Sequence, residues 1–172
     1  MPPRRRFPLL LGLLLLLLLL TIPSGVASAA SRGFADDFTA FDGGLWAAGD
    51  HVLGRSTLDP ANVAVSGGRL ELALPAGTTD GAEVRTQSTY RYGSYRARIQ
   101  VADAPSSITG FFLYAPPDYE SEIDVELFND AAGEVMFTTY ARGAQTHTER
   151  RPLGFDPTAA MHEYRSTPPP AR

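Results

Sequence analysis

Ser121-Glu122-Ile123-Asp124-Val125-Glu126-Leu127-Phe128 sets three carboxylates at i, i+2 and i+4, with the apolar residues Ile123, Val125 and Leu127 at the positions between and after them. In a strand, successive side chains alternate faces, so Glu122, Asp124 and Glu126 share one face and the apolar set the other. Three acids side by side repel and stabilise no fold by themselves. The stretch therefore predicts a strand with a core on one side and a working surface on the other.

The geometry suits acid–base chemistry on a sugar. Four residues of strand separate the glutamate α-carbons by roughly 13 Å, and side chains that lean together close much of that gap. Glycosidases that retain configuration need carboxyl groups about 5–5.5 Å apart, one as nucleophile and one as acid/base. Asp124, between them, can hydrogen-bond or share a proton with a glutamate and so help to hold the acid/base group protonated near neutral pH. The alternatives are an exposed acidic strand face or part of a calcium site. Against a bland acidic face, the apolar-aromatic run Gly110-Phe111-Phe112-Leu113-Tyr114 just upstream marks a sheet interior or cleft.

Outward from this stretch, short β-branched and aromatic runs recur between Gly, Pro, Asp and Asn turns, and no amphipathic helix of convincing length is found. Strands are expected at Val63-Ala64-Val65, Arg69 to Leu74, Ala82 to Gln87, Gly93 to Val101, Ile108 to Tyr114, Glu122 to Phe128, Val135 to Ala141 and His162 to Arg165. Many short strands with such turns predict an all-β sandwich. No internal repeat is visible.

The N-terminus reads as an export signal over residues 1–29: Arg4, Arg5 and Arg6, then Leu9 to Leu20 broken only by Gly12, then Pro23, Gly25 and the small-residue site Ala27-Ser28-Ala29. The apolar run from Leu9 to Ile22 is shorter than the roughly 20 residues a membrane-spanning helix needs, so no stable anchor is expected after cleavage. Removing these residues takes away three arginines and no acids, which leaves 12 basic against 19 acidic residues and a net charge of −7. That balance argues against nucleic acid and fits a neutral polysaccharide. Cysteine is absent, so a secreted, monomeric domain would rely on its core rather than on disulfides.

The acid-bearing stretch resembles the Glu-x-Asp-x-Glu signature strand of glycoside hydrolase family 16. Further segments resemble the family in order: Asp37-Phe38 to Trp46, Ser66-Gly67-Gly68-Arg69-Leu70-Glu71-Leu72, Ala82-Glu83-Val84-Arg85-Thr86, Tyr92-Gly93-Ser94-Tyr95-Arg96-Ala97-Arg98, Leu153-Gly154-Phe155-Asp156-Pro157 and His162-Glu163-Tyr164. The resemblance implies a concanavalin A-like jelly-roll β-sandwich with a glycan groove on its concave face. By motif position, Glu122 is the expected nucleophile, Glu126 the acid/base and Asp124 the assisting residue. Glu83, Arg85, Phe112, Tyr114 and Tyr140 match residues that line the groove in lichenase-type members, while Trp46 is assigned to packing. The strand lacks the extra residue that laminarinase-type members carry before the second glutamate and in this resembles lichenases and xyloglucan-active relatives. That likeness implies a β-glucan with 1,4-linkages, 1,3-1,4-β-glucan above the others. Glu120-Ser121 stands where lichenases carry Trp-Asp, which removes a stacking surface.

No cofactor is expected to be required. A structural calcium occurs in the family, with its site expected to be incomplete here, and His51, His147 and His162 show no metal-ligand spacing. The tail Ser166-Thr167-Pro168-Pro169-Pro170-Ala171-Arg172 cannot continue a central strand. By composition that tail reads either as disordered or as a chain that stops early. Because family domains continue several strands past the His-Glu-Tyr segment, the resemblance implies that residues 30–165 form an incomplete catalytic domain of a fragment or frame-shifted product, with 166–172 as an aberrant tail. The competing expectations are a transglycosylase, a glycan-binding module or an inactive truncated sandwich.

Overall fold

The computed structural model describes residues 33–90, 92–117 and 119–167. The expected export signal and the end of the tail, residues 168–172, lie outside the described residues. The chain divides into two units at Asp36. Of the first, only residues 33–36 are described, and they form no regular element.

The second unit is built from strands, with a single 3-10 turn, Pro60–Asn62, among the described residues. In chain order the early strands are β1 (Trp46–Ala48), β2 (His51–Leu53), β3 (Ser56–Leu58), β4 (Val63–Ser66), β5 (Arg69–Leu72) and β6 (Val84–Thr86). Then follow β7 (Tyr95–Ile99), β8 (Ile108–Ala115), β9 (Ser121–Phe128), β10 (Glu134–Ala141), β11 (Ala144–Pro152) and β12 (His162–Ser166). The four long strands form one antiparallel sheet in the order β11-β10-β9-β8. The shorter ones pair as β1 with β6, β2 with β3, β4 with β5, and β7 with β12.

The sandwich follows from where the apolar alternation points. On β9, Val125 and Leu127 are buried while the three acids are half-buried on the opposite face. Val125 and Leu127 cluster with Val135 of β10, Tyr164 of β12 and Val101, and Ile99, Phe111 and Leu153 pack around them. One face of the long sheet is thus closed by the β7–β12 pair, and the acids stand on the other. Leu127 is fully buried, so each such side chain contributes on the order of 1.5–3 kcal/mol of transfer free energy.

Polar groups lock the end of β9. Asn129 is 1% exposed. Its Nδ2 donates to Ser107 Oγ at 2.8 Å, and its Oδ1 accepts from Thr109 Oγ1 at 2.7 Å. The turn into β10 needs Gly133, whose φ of +68° favours glycine and whose α-carbon lies against the Phe155 carbonyl. Its own carbonyl accepts from Leu153 N at 2.6 Å.

Each strand expected from the sequence is present, with ends shifted by a few residues. Four others, β1, β2, β3 and β11, were not among the strands expected from the apolar runs. β1, β2 and β3 are three residues long; β1 is half-buried, β2 is exposed throughout and β3 buries only Leu58, while β11 (Ala144-Gln145-Thr146-His147-Thr148-Glu149-Arg150-Arg151-Pro152) is exposed along nearly all its length. A strand with little to bury shows no period-2 hydrophobic pattern.

Candidate active site

The antiparallel register fixes what stands beside each acid. Glu122 has Tyr114 of β8 on one side and Tyr140 of β10 on the other. Asp124 lies between Phe112 and Thr138, and Glu126 between Gly110 and Met136. Directly paired residues share a face, with Cβ atoms about 4.5–5.5 Å apart. Phe112 and Tyr114 are 38% and 43% exposed, so these rings line an open surface and are not core.

The acids are electrostatically coupled. Asp124 and Glu122 share a side-chain hydrogen bond. Burial, then the charges of Glu122 and Glu126, then that hydrogen bond push the Asp124 carboxyl up to about 7. Glu126 is also raised above the usual carboxylate range, first by burial and then by the Glu122 charge. Near neutral pH Asp124 therefore holds part of a proton that an isolated carboxylate would release, and Glu126 is shifted in the same direction. Burial foremost, with the nearby acids and Tyr119, also raises Tyr140, whose hydroxyl stays a donor at working pH.

This coupling sets a pH dependence of stability. A carboxyl with a folded pKa above its unfolded value opposes folding once the unfolded chain would ionise. For Asp124 that penalty grows from about pH 4 to pH 7 and is constant above. Asp124→Asn is expected to melt above the wild type at pH 8, by on the order of 1 kcal/mol, with the gap closing towards pH 5. Thermal denaturation at the two pH values checks it, and a gap that widens on acidification contradicts it.

Of the residues named from the sequence, Glu122, Asp124, Glu126, Phe112, Tyr114 and Tyr140 come together on this face. Glu83 and Arg85 do not stand in the same sheet. They lie at and just before β6, which pairs with β1, and they share a face there, as their i, i+2 spacing requires. Arg85 is exposed. Glu83 is only 14% exposed at its side chain, lies over Gly49, and faces His51 with Oε2 3.9 Å from Nδ1. Trp46 packs on Phe38 with ring centroids 5.7 Å apart. His162 stacks on Phe155 at 4.0 Å, and His147 lies beside Glu149 on exposed β11.

Sequence reading missed Tyr119, Thr138, Met136 and Gly110. Tyr119, in the loop between β8 and β9, packs its ring on Tyr140 with centroids 4.8 Å apart. That loop is fastened to the β10–β11 turn, where Arg142 N donates to the Glu120 carbonyl and Gly143 N to the Tyr119 carbonyl, each at 3.0 Å. Thr138, Met136 and Gly110 were findable only with the strand register in hand. Among the described residues, no three His, Asp or Glu side chains are placed to hold a metal ion.

The sequence model of glycosyl hydrolases family 16 matches residues 54–167. A β-glucanase of Acetivibrio thermocellus is 29% identical over 170 residues, covering 91% of this chain and 51% of that protein. The chain thus spans about half the length of that relative. Among solved structures, a Bacillus licheniformis β-glucanase superposes with a TM-score of 0.73 at 26% identity, over 82% of this chain and 71% of the other. A prokaryotic β-1,3-1,4-glucanase (lichenase) from a mouse hindgut metagenome gives a TM-score of 0.69 at 27% identity, over 80% and 70%. The fold is therefore the jelly-roll sandwich of these neighbours.

Proposed function

This chain belongs to glycosyl hydrolases family 16, and on that footing we propose that it is a secreted endo-β-glucanase working with retention, with 1,3-1,4-β-glucan as the favoured substrate. The observation that carries the reading is the coupled acid row. Glu122 is hydrogen-bonded to Asp124, and burial together with the Glu122 charge raises the Glu126 pKa.

In the first step a Glu122 carboxylate oxygen attacks the anomeric carbon while Glu126 gives its proton to the departing glycosidic oxygen. The product is a glycosyl ester on Glu122, which no longer bears a charge. With that charge gone, one cause of the raised Glu126 pKa disappears. Glu126, now a carboxylate, can take a proton from water as the water opens the ester. Asp124, whose carboxyl is pushed up to about 7, can donate towards Glu122 in its protonated form and stabilise it as it leaves. The exposed rings of Phe112 and Tyr114 offer faces on which sugars stack, and the Tyr140 hydroxyl can donate to substrate or carboxylate. A second sugar in place of the water would give transglycosylation from the same intermediate.

The β-glucanase and lichenase names of the relatives support the substrate class. Reducing-sugar release by the purified chain from mixed-linkage β-glucan, laminarin and xyloglucan tests it. Release is expected from the mixed-linkage polymer above the other two. A folded chain that releases sugar from none of them overturns the reading, and a preference for xyloglucan or laminarin overturns the favoured substrate.

A further inference from the structure

On the acid-bearing face, β8 presents Gly110, Phe112 and Tyr114 to Glu126, Asp124 and Glu122 respectively. Two of the three positions are large rings, and the third has no side chain at all. Nothing in the backbone demands this, because Gly110 is not among the glycines with left-handed φ. Nor does crowding demand it. A Cβ built there meets only Phe112 Cδ1, at an ordinary 3.6 Å. Gly110 is the third residue of an eight-residue strand and is exposed. Glycine inside a strand costs backbone entropy and packs nothing, and it often marks a place where a ligand approaches closely.

We propose that Gly110 is a specificity-determining residue: its missing side chain opens the floor of the groove beside Glu126, so that a pyranose ring of the polysaccharide can lie directly against β8. The inference rests on the glucanase reading above. Glu126 must come within hydrogen-bond reach of the glycosidic oxygen, and on its other side Met136 already occupies the paired position. Space at Gly110 is the remaining lateral clearance for the sugar. A β-branched side chain there would suit the strand and obstruct the substrate.

Gly110→Val is the test, with stability and activity read on the same sample. Its Tm is expected to equal or exceed that of the wild type, while kcat/KM on mixed-linkage β-glucan falls by about 30-fold or more. Gly110→Ala, whose methyl group is accommodated without strain, is expected to lose only a few-fold and decides the matter if the valine variant fails to fold. A folded Gly110→Val with kcat/KM within about two-fold of wild type overturns the inference alone. So does unchanged kcat/KM in Gly110→Ala when valine does not fold. A wild-type chain inactive on every polymer overturns the glucanase reading and this inference with it.

Discussion

Glu122→Gln is expected to leave a folded chain that releases sugar at least about 10³-fold more slowly than wild type, a loss of about 4 kcal/mol in transition-state stabilisation. Glutamine keeps the shape and the place between Tyr114 and Tyr140 but supplies no carboxylate to form the glycosyl ester. The same change removes a negative charge from the row. Because Glu122 raises both neighbours, the Asp124 and Glu126 carboxyls are expected to titrate lower in the variant. Activity assays and carboxyl titration by NMR report the two effects separately. A variant with lost activity but unmoved titrations would mean that Glu122 acts without the electrostatic coupling proposed. A variant with wild-type activity would remove Glu122 from the nucleophile role.

Glu126→Gln should produce a loss of similar size on polymeric glucan, where the leaving group is a sugar alkoxide that needs a proton. Aryl glucosides with acidic phenol leaving groups should lose far less in the bond-breaking step. The pH profile carries the sharper signature. In the wild type, activity should fall with rising pH as Glu126 gives up its proton, and burial with the Glu122 charge places that limb above the ordinary glutamate range. In Glu126→Gln the limb should vanish. A limb that persists unchanged would move the acid/base role to another group, with Asp124, raised to about 7, the first to examine.

Much of the fold and of the acid row is legible in the sequence. The alternation in β9 gave both the face that carries Glu122, Asp124 and Glu126 and the face that carries Val125 and Leu127. The turn Ser66-Gly67-Gly68 correctly marked the β4–β5 hairpin. Where the signal failed, the reason was physical. β11 is a polar edge strand, and no hydrophobic period can announce a strand that buries almost nothing. Phe112 could be assigned to the groove only through the family resemblance, because the sequence does not say which face of β8 the partner sheet covers. Tyr119 sits in a loop, and its place depends on bonds from Arg142 and Gly143 more than 20 residues downstream.

The sequence by itself determined the strand-rich fold and the identity of the three acids, because side-chain alternation is a local property of extended backbone. It also set a charge balance that argues against nucleic acid and is compatible with a neutral glycan. Only the tertiary structure decided what faces each acid: Tyr114 and Tyr140 at Glu122, Gly110 and Met136 at Glu126. It also placed Glu83 against His51, in a different sheet from the acid row. Register between strands distant in sequence is fixed by which apolar faces are buried together and by turn geometry such as that at Gly133. The raised pKa values are tertiary as well. They arise from burial and from charges held close by the fold, neither of which exists in the unfolded chain.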